Sequence, residues 1–135
     1  MSTRYNSNKV RVENTQGNPL YVTYTESGNV LNTYSEANSV AGLASADVVS
    51  YTVPVGKILE LIRADVSGTN KAEYKLDINA SIESKKRTYF TNYNESFETI
   101  GIELVAGDIV KIIVENKTNS TADFNANIIG RLENA

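Results

Sequence analysis

What most constrains this chain is its punctuation: compact turn signals separate short β-favouring runs along much of its length. Gly17-Asn18-Pro19, Ser27-Gly28-Asn29, Pro54-Val55-Gly56, Ser67-Gly68-Thr69-Asn70 and Ala106-Gly107-Asp108 combine residues that supply positive φ, fix φ, or bond their own backbone. Between them, apolar and polar residues alternate with period two, the spacing of a half-buried strand. Val49, Tyr51 and Val53 alternate, and Tyr74, Leu76 and Ile78 alternate against Glu73, Lys75 and Asp77. Phe124, Ala126 and Ile128 share a face of the segment from Asp123 to Leu132. Ile58 to Val66 is almost continuously apolar and reads as a strand buried on much of both faces, with Ile109 to Val114 as a second core strand. Arg87 to Phe90 and Glu98 to Leu104 add two more runs, and no long amphipathic helix is legible. About seven or eight strands at this spacing predict an all-β fold, an antiparallel β-sandwich.

One internal echo sharpens the expectation. Val53-Pro54-Val55-Gly56-Lys57-Ile58 and Leu104-Val105-Ala106-Gly107-Asp108-Ile109 share a pattern: an apolar residue, two spacers, Gly, a charge, then a core strand. They read as two similar strand lead-ins, which a jelly-roll sandwich places in its two sheets. The N-terminal third is more polar. Val10 to Val12 and Leu20 to Tyr24 favour strand, the latter with Leu20, Val22 and Tyr24 on one face, and Glu26 to Asn29 can turn into Val30 to Tyr34 as a hairpin. Ser35 to Asp47 is small and polar and reads as a linker or loop with enough Ala for a short helix. The expected organisation is an N-terminal arm or hairpin and linker over residues 1–46, then the sandwich over 47–135.

Composition removes whole classes of chemistry. The 135 residues include no Cys and no His. Disulfides, thiolate metal sites and thiol nucleophiles go with the first, and the commonest general base and metal ligand with the second. Ser-His-Asp and Cys-His arrangements cannot form, and any metal would need all-oxygen ligands. A net charge of −3 disfavours nucleic acid as the main partner. The start, Met1 to Asn6, lacks the apolar run of a signal peptide, and no stretch approaches the roughly 18 apolar residues of a membrane span. The expectation is a protein made in a cytoplasm, with no cofactor, no metal and no membrane or nucleic-acid partner.

Three groups of residues merit weighing as sites. The carboxylates Glu60, Asp65, Asp77, Glu103 and Asp108 lie on or beside predicted strands; a glycosidase needs two across a cleft, and structural charge is the reading preferred here. Ser84 to Tyr93 joins Lys85, Lys86 and Arg87 to Tyr89, Phe90 and Tyr93. That mix suits docking on an acidic protein surface, or stacking on sugars or bases. It equally suits an edge strand that Lys protects from sheet-to-sheet pairing. Tyr5, Tyr21 and Tyr34 form a third group, since Tyr is favoured at interfaces; the alternative is packing of the arm on its own sandwich. The candidate interface residues are therefore Tyr5, Tyr21, Tyr34, Lys86, Arg87, Tyr89 and Tyr93, with no catalytic residue. Asn-x-Ser/Thr occurs at Asn79, Asn94, Asn116 and Asn119 and serves as a loop marker, with Asn116 to Thr121 expected as a polar tip between the last two core strands.

The stretch from Ser50 to Arg131 resembles small jelly-roll proteins of tailed-bacteriophage particles. The residues that carry the resemblance are Tyr51-Thr52-Val53-Pro54-Val55-Gly56-Lys57, the run from Val66 to Asn79, Lys86-Arg87-Thr88-Tyr89-Phe90, Leu104-Val105-Ala106-Gly107-Asp108-Ile109-Val110 and Val114-Glu115-Asn116. Gly28 to Tyr34 also resembles the lead-in of such proteins. The resemblance implies a virion structural role, as a head decoration (cement) protein or a tail or fibre module, often trimeric. It implies a homotrimer on the outer capsid surface, with the lattice of major capsid protein as its partner. A receptor- or glycan-binding module of a tail or fibre is the alternative it leaves open, with Tyr89, Phe90 and Tyr93 in a concave site. No catalytic motif carries over.

Overall fold

Two rows of alternating apolar side chains face each other across the molecule and set its architecture. The computed structural model describes residues 11–13, 19–21, 28–89, 95–99 and 101–135. Near the N-terminus, β1 (Arg11–Glu13) and β2 (Pro19–Tyr21) pair antiparallel, with Val12 opposite Leu20. The remaining strands are β3 (Gly28–Val40), β4 (Ser45–Thr52), β5 (Lys57–Gly68), β6 (Ala72–Ile78), β7 (Ser81–Arg87), β8 (Glu95–Glu98), β9 (Glu103–Val105), β10 (Ile109–Asn116) and β11 (Ala122–Asn134). One sheet has the order β4-β10-β6-β7; the other has the order β3-β11-β5-β8, with β9 on the same strand β5 as β8. Counting β8 and β9 as one position gives eight, in the strand order of a jelly roll. The fold is all-β, an antiparallel sandwich, as the turn and strand spacing predicts.

The core lies between the sheets. Leu59, Leu61, Ala64 and Val66 of β5 and Phe124, Ala126 and Ile128 of β11 meet Tyr74 and Leu76 of β6 and Val110, Ile112 and Val114 of β10. Tyr74 and Phe124 touch edge to face, with ring centroids 6.0 Å apart. Burying Tyr74 pushes its hydroxyl pKa up, and the charge of Glu95 adds to the effect.

Several local expectations change on meeting the fold. The apolar run of β5 is buried on one face only. Leu61 pairs with Gly130 and Arg63 with Ile129, so Ile62 is an extra residue in a bulge; it reverses the alternation and leaves Ile62 exposed. Gly130 allows this close approach, because a Cβ there would sit 2.6 Å from the Glu60 carbonyl oxygen. The stretch 28–46 is not an arm and linker. β3 pairs with β11 from Gly28 to Val40, β4 already begins at Ser45, and Val40 is buried in the core. Small polar residues suit an edge strand whose outer face meets water, which is why composition alone read as a loop. The strand expected at Arg87 to Phe90 instead runs as β7 over Ser81–Arg87.

The echoed lead-ins are two copies of one turn. Lys57 N–H donates to the Pro54 carbonyl (3.2 Å) and Asp108 N–H to the Val105 carbonyl (2.9 Å). The third residue of each, Gly56 (φ 81°) or Gly107 (φ 91°), takes the positive φ of a type II turn. The turns are bonded to each other, Gly107 N–H to the Val53 carbonyl and Val53 N–H to the Asp108 carbonyl. They lead into β5 and β10, one in each sheet. Asp108 completes this end: its carboxylate accepts from Val105 N–H (2.8 Å) and from the Asn79 amide (3.1 Å).

The opposite end is held by a buried amide. Asn116 has no accessible surface, contrary to its expected place at a polar tip. Its Nδ2 donates to the carbonyls of Val40 (3.1 Å), Ala41 (3.3 Å) and Ser120 (2.7 Å), and its Oδ1 accepts from Thr118 N–H and Oγ1. The β3–β4 corner and the β10–β11 connection are thereby tied together.

Two predictions follow from these ends. Asn116→Ala strands several buried polar groups and should cost about 2–4 kcal/mol in urea unfolding. Asn116→Asp, nearly the same shape, faces carbonyl oxygens with a carboxylate; it should be similarly damaging at neutral pH and partly recover in acid, as the carboxyl protonates. An unchanged urea midpoint for both variants would contradict this account. For Asp108, hydrogen bonds from Val105 and then Asn79 hold the carboxyl pKa below its ordinary value. A lowered folded pKa gives stability that is present above the unfolded value and fades as pH falls through the folded one. The thermal midpoint of Asp108→Asn should therefore lie below that of the parent at neutral pH and converge with it in strong acid.

Candidate functional site

The expected interface residues fall on two separate surfaces. In the strand order β4-β10-β6-β7, β7 forms one lateral edge; in β3-β11-β5-β8, β3 forms an edge on the side of β4, away from β7 and β8. Lys86, Arg87 and Tyr89 belong to the first edge and Tyr34 to the second. Tyr21 lies in β2 opposite Arg11, while Tyr5, Tyr93 and Phe90 fall outside the described residues.

At the β7 edge, period two separates the cations. Lys86 lies opposite buried Tyr74, and its Nζ is 3.5 Å from Glu95 Oε1 of β8, bridging the rims of the two sheets. Arg87 points the other way. Thr88, buried, then pins the chain to β6: its hydroxyl accepts from Ala72 N–H (3.0 Å) and donates to the Ala72 carbonyl (3.3 Å). With Thr88 inward, Arg87 and Tyr89 are both outward, and the guanidinium lies 5.2 Å from the ring centroid. Tyr89 is 66% exposed. A cation over an exposed aromatic ring is a preorganised, amphipathic contact element. The protected-edge reading also holds here, since β7 ends its sheet and carries Lys85, Lys86 and Arg87. On the adjoining outer face, Lys75, Lys117, Glu73 and Glu115 form ion pairs of 3.1–3.9 Å, and bonding to Lys117 lowers the Glu115 pKa.

The other surface is the outer face of the β3-β11-β5 sheet. Tyr34 lies opposite Asn127, which lies opposite Asp65, giving a polar ladder across three strands. The Tyr34 hydroxyl donates to Glu36 Oε2 (2.7 Å) and the Asn38 amide to Oε1 (3.0 Å). These bonds lower the Glu36 pKa and raise that of Tyr34. Beside them runs a shallow groove of about 450 Å³, lined by Glu36, Asn38, Ser67, Thr69, Asp123 and Asn125 among others. Sequence reasoning missed this groove because its parts come from three strands far apart in the chain. The signal was present only as Asp123, Asn125 and Asn127 at alternate positions of β11.

Of the carboxylates weighed in the sequence, only Glu60 and Glu103 are cross-strand neighbours, paired across β5 and β9. Asp77 is buried, and Asp108 serves its turn. Among the described residues, no three acidic side chains converge to hold a metal ion.

No family model matches the chain, and no curated protein matches it in sequence. Similar solved structures include PirA (13% identity, TM-score 0.49, covering 79% of this chain and 97% of that one). A Bacillus endospore appendage protein that forms disulfide-linked pili gives 10% identity and a TM-score of 0.45, over 77% and 89%. A de novo designed double-stranded β-helix gives 13% identity and a TM-score of 0.38, over 73% and 97%.

The β7 edge separates anchoring from exposed roles. Thr88→Ala should destabilise by about 1–2 kcal/mol in urea unfolding. Arg87→Ala and Tyr89→Ala should each stay within about 0.5 kcal/mol of the parent. The reverse order would contradict the assignment.

Proposed function

We propose that the chain is a structural protein of a tailed-bacteriophage particle, a head decoration (cement) protein bound to the outer surface of the assembled major capsid protein lattice. The observation that carries this reading is strand order. The β3-β11-β5-β8 and β4-β10-β6-β7 sheets make the jelly roll that the phage resemblance implies, and the Pro54-Val55-Gly56-Lys57 and Ala106-Gly107-Asp108 turns lead into different sheets as expected. The function needs no reaction. A protein that binds the assembled lattice and not its separated subunits stabilises the lattice by mass action. Arg87 and Tyr89 supply a preformed contact element for that surface.

A second reading, a receptor- or glycan-binding module of a tail or fibre, is favoured by the polar groove. Its amides, hydroxyls and carboxylates are already oriented by one another, beside an exposed Tyr34.

Immunogold labelling of particles from the source separates the two. The decoration reading predicts gold over the heads. It also predicts that particles stripped of the protein release DNA at a lower temperature, are restored by adding it back, and are restored only at about tenfold higher concentration by Arg87→Ala or Tyr89→Ala. Gold confined to tails, with glycan binding lost in Asn125→Ala, would select the second reading. Antigen found only in soluble extract would overturn both.

A further inference from the structure

Each sheet edge presents unpaired backbone N–H and C=O groups, and proteins guard such edges with charge, brevity or bulges. Three edge positions of this sandwich are guarded. β7 carries Lys85, Lys86 and Arg87. β8 and β9 are four and three residues long and carry Glu95, Glu98 and Glu103. β4 is broken by a bulge at Val48, where pairing jumps from Val49 to Asp47.

β3 is the exception. It is 13 residues long and contains no Lys, Arg or Pro, and Glu36 is its one charged side chain. Its one break lies near its C-terminal end, between Ala37 and Val40, where Ser39 takes φ 57°; residues 28–37 pair with β11 without a register break, so this part of the edge is unbroken. Among the described residues, no strand pairs with its other side. Val30 (68%) and Tyr34 (53%) stand exposed along it.

We propose that β3 is a pairing edge through which two copies of this chain join antiparallel about a two-fold axis. The strand's own pattern selects the occupant and the register. Pairing centred on Tyr34 keeps residues 31–37 of both copies inside the unbroken stretch and sets Tyr34 opposite the second copy's Tyr34. Asn32 then faces the second copy's Glu36, and the only charge of the strand meets an amide. Leu31, on the inner face and packed against the core with Ala37, faces the second copy's Ala37, continuing the apolar row across the junction. Sliding the register by four residues, so that Glu36 meets its own copy, would oppose like charges. The product is a continuous sheet running β8-β5-β11-β3 in one copy and β3-β11-β5-β8 in the other, with the same patch used twice. This inference does not depend on the phage reading.

The test is sedimentation equilibrium on the full chain, with variants at Tyr34. The parent should be a dimer. Tyr34→Lys, at an exposed position, brings two cations together on the axis and should weaken association by more than about tenfold while leaving the thermal midpoint of the monomer nearly unchanged. The chain has no Cys, so Tyr34→Cys offers a single thiol. Cβ atoms of directly opposed antiparallel residues lie about 4.5–5.5 Å apart, within reach of a disulfide after slight adjustment. Tyr34→Cys should therefore oxidise to a covalent dimer, and Asn38→Cys, which faces Val30, should not. A monomer at the highest soluble concentration would overturn the proposal. So would a trimer, or a dimer that ignores Tyr34→Lys and gives no Tyr34→Cys cross-link.

Discussion

The side chain of Asn116 bears on everything else in this fold. In the jelly-roll order of β3 to β11 the chain crosses from one sheet to the other at most connections; the β6–β7 hairpin and the step from β8 to β9, which both pair with β5, are the exceptions. Each crossing bares backbone groups that no ladder satisfies. At the end where β3 turns into β4 and β10 into β11, one buried amide meets three carbonyls from the two crossings and accepts from Thr118 in return. Backbone bonds from Leu43 to Thr118 and from Asn116 to Ala44 close the same junction.

With the ends fixed, the sandwich decides what its surfaces offer. The alternation that buries Thr88 turns Arg87 and Tyr89 outward together, and it sends Lys86 to Glu95 instead. The β3 side gathers an oriented set of amides, hydroxyls and carboxylates on one face and leaves a long, nearly uncharged strand at its edge. Each surface is thus a consequence of strand parity and strand order rather than of a local motif.

Much of the fold was legible in the sequence for the same reason. Period two located the faces of β6 and β11, and the Pro-x-Gly and Ala-Gly-Asp turns identified the starts of β5 and β10. Parity fails where a bulge intervenes, as at Ile62, since an inserted residue looks like an extra core position. Composition fails at β3, because an edge strand with one wet face uses the same Asn, Ser and Thr as a loop. Asn116 was misplaced because a buried amide and an exposed one are the same letter; only the three carbonyls around it tell them apart. The groove had no linear signal, since β3, β5 and β11 meet only through pairing.

β3 belongs to the sandwich and is not part of an N-terminal arm. Amide hydrogen exchange of the full chain, read residue by residue by NMR, addresses that placement directly. The account predicts that the amides of β3 directed at β11 exchange as slowly as those of β11 itself, because both open only when the sheet opens. Rapid exchange throughout Gly28–Val40, with β5, β10 and β11 still protected, would contradict it.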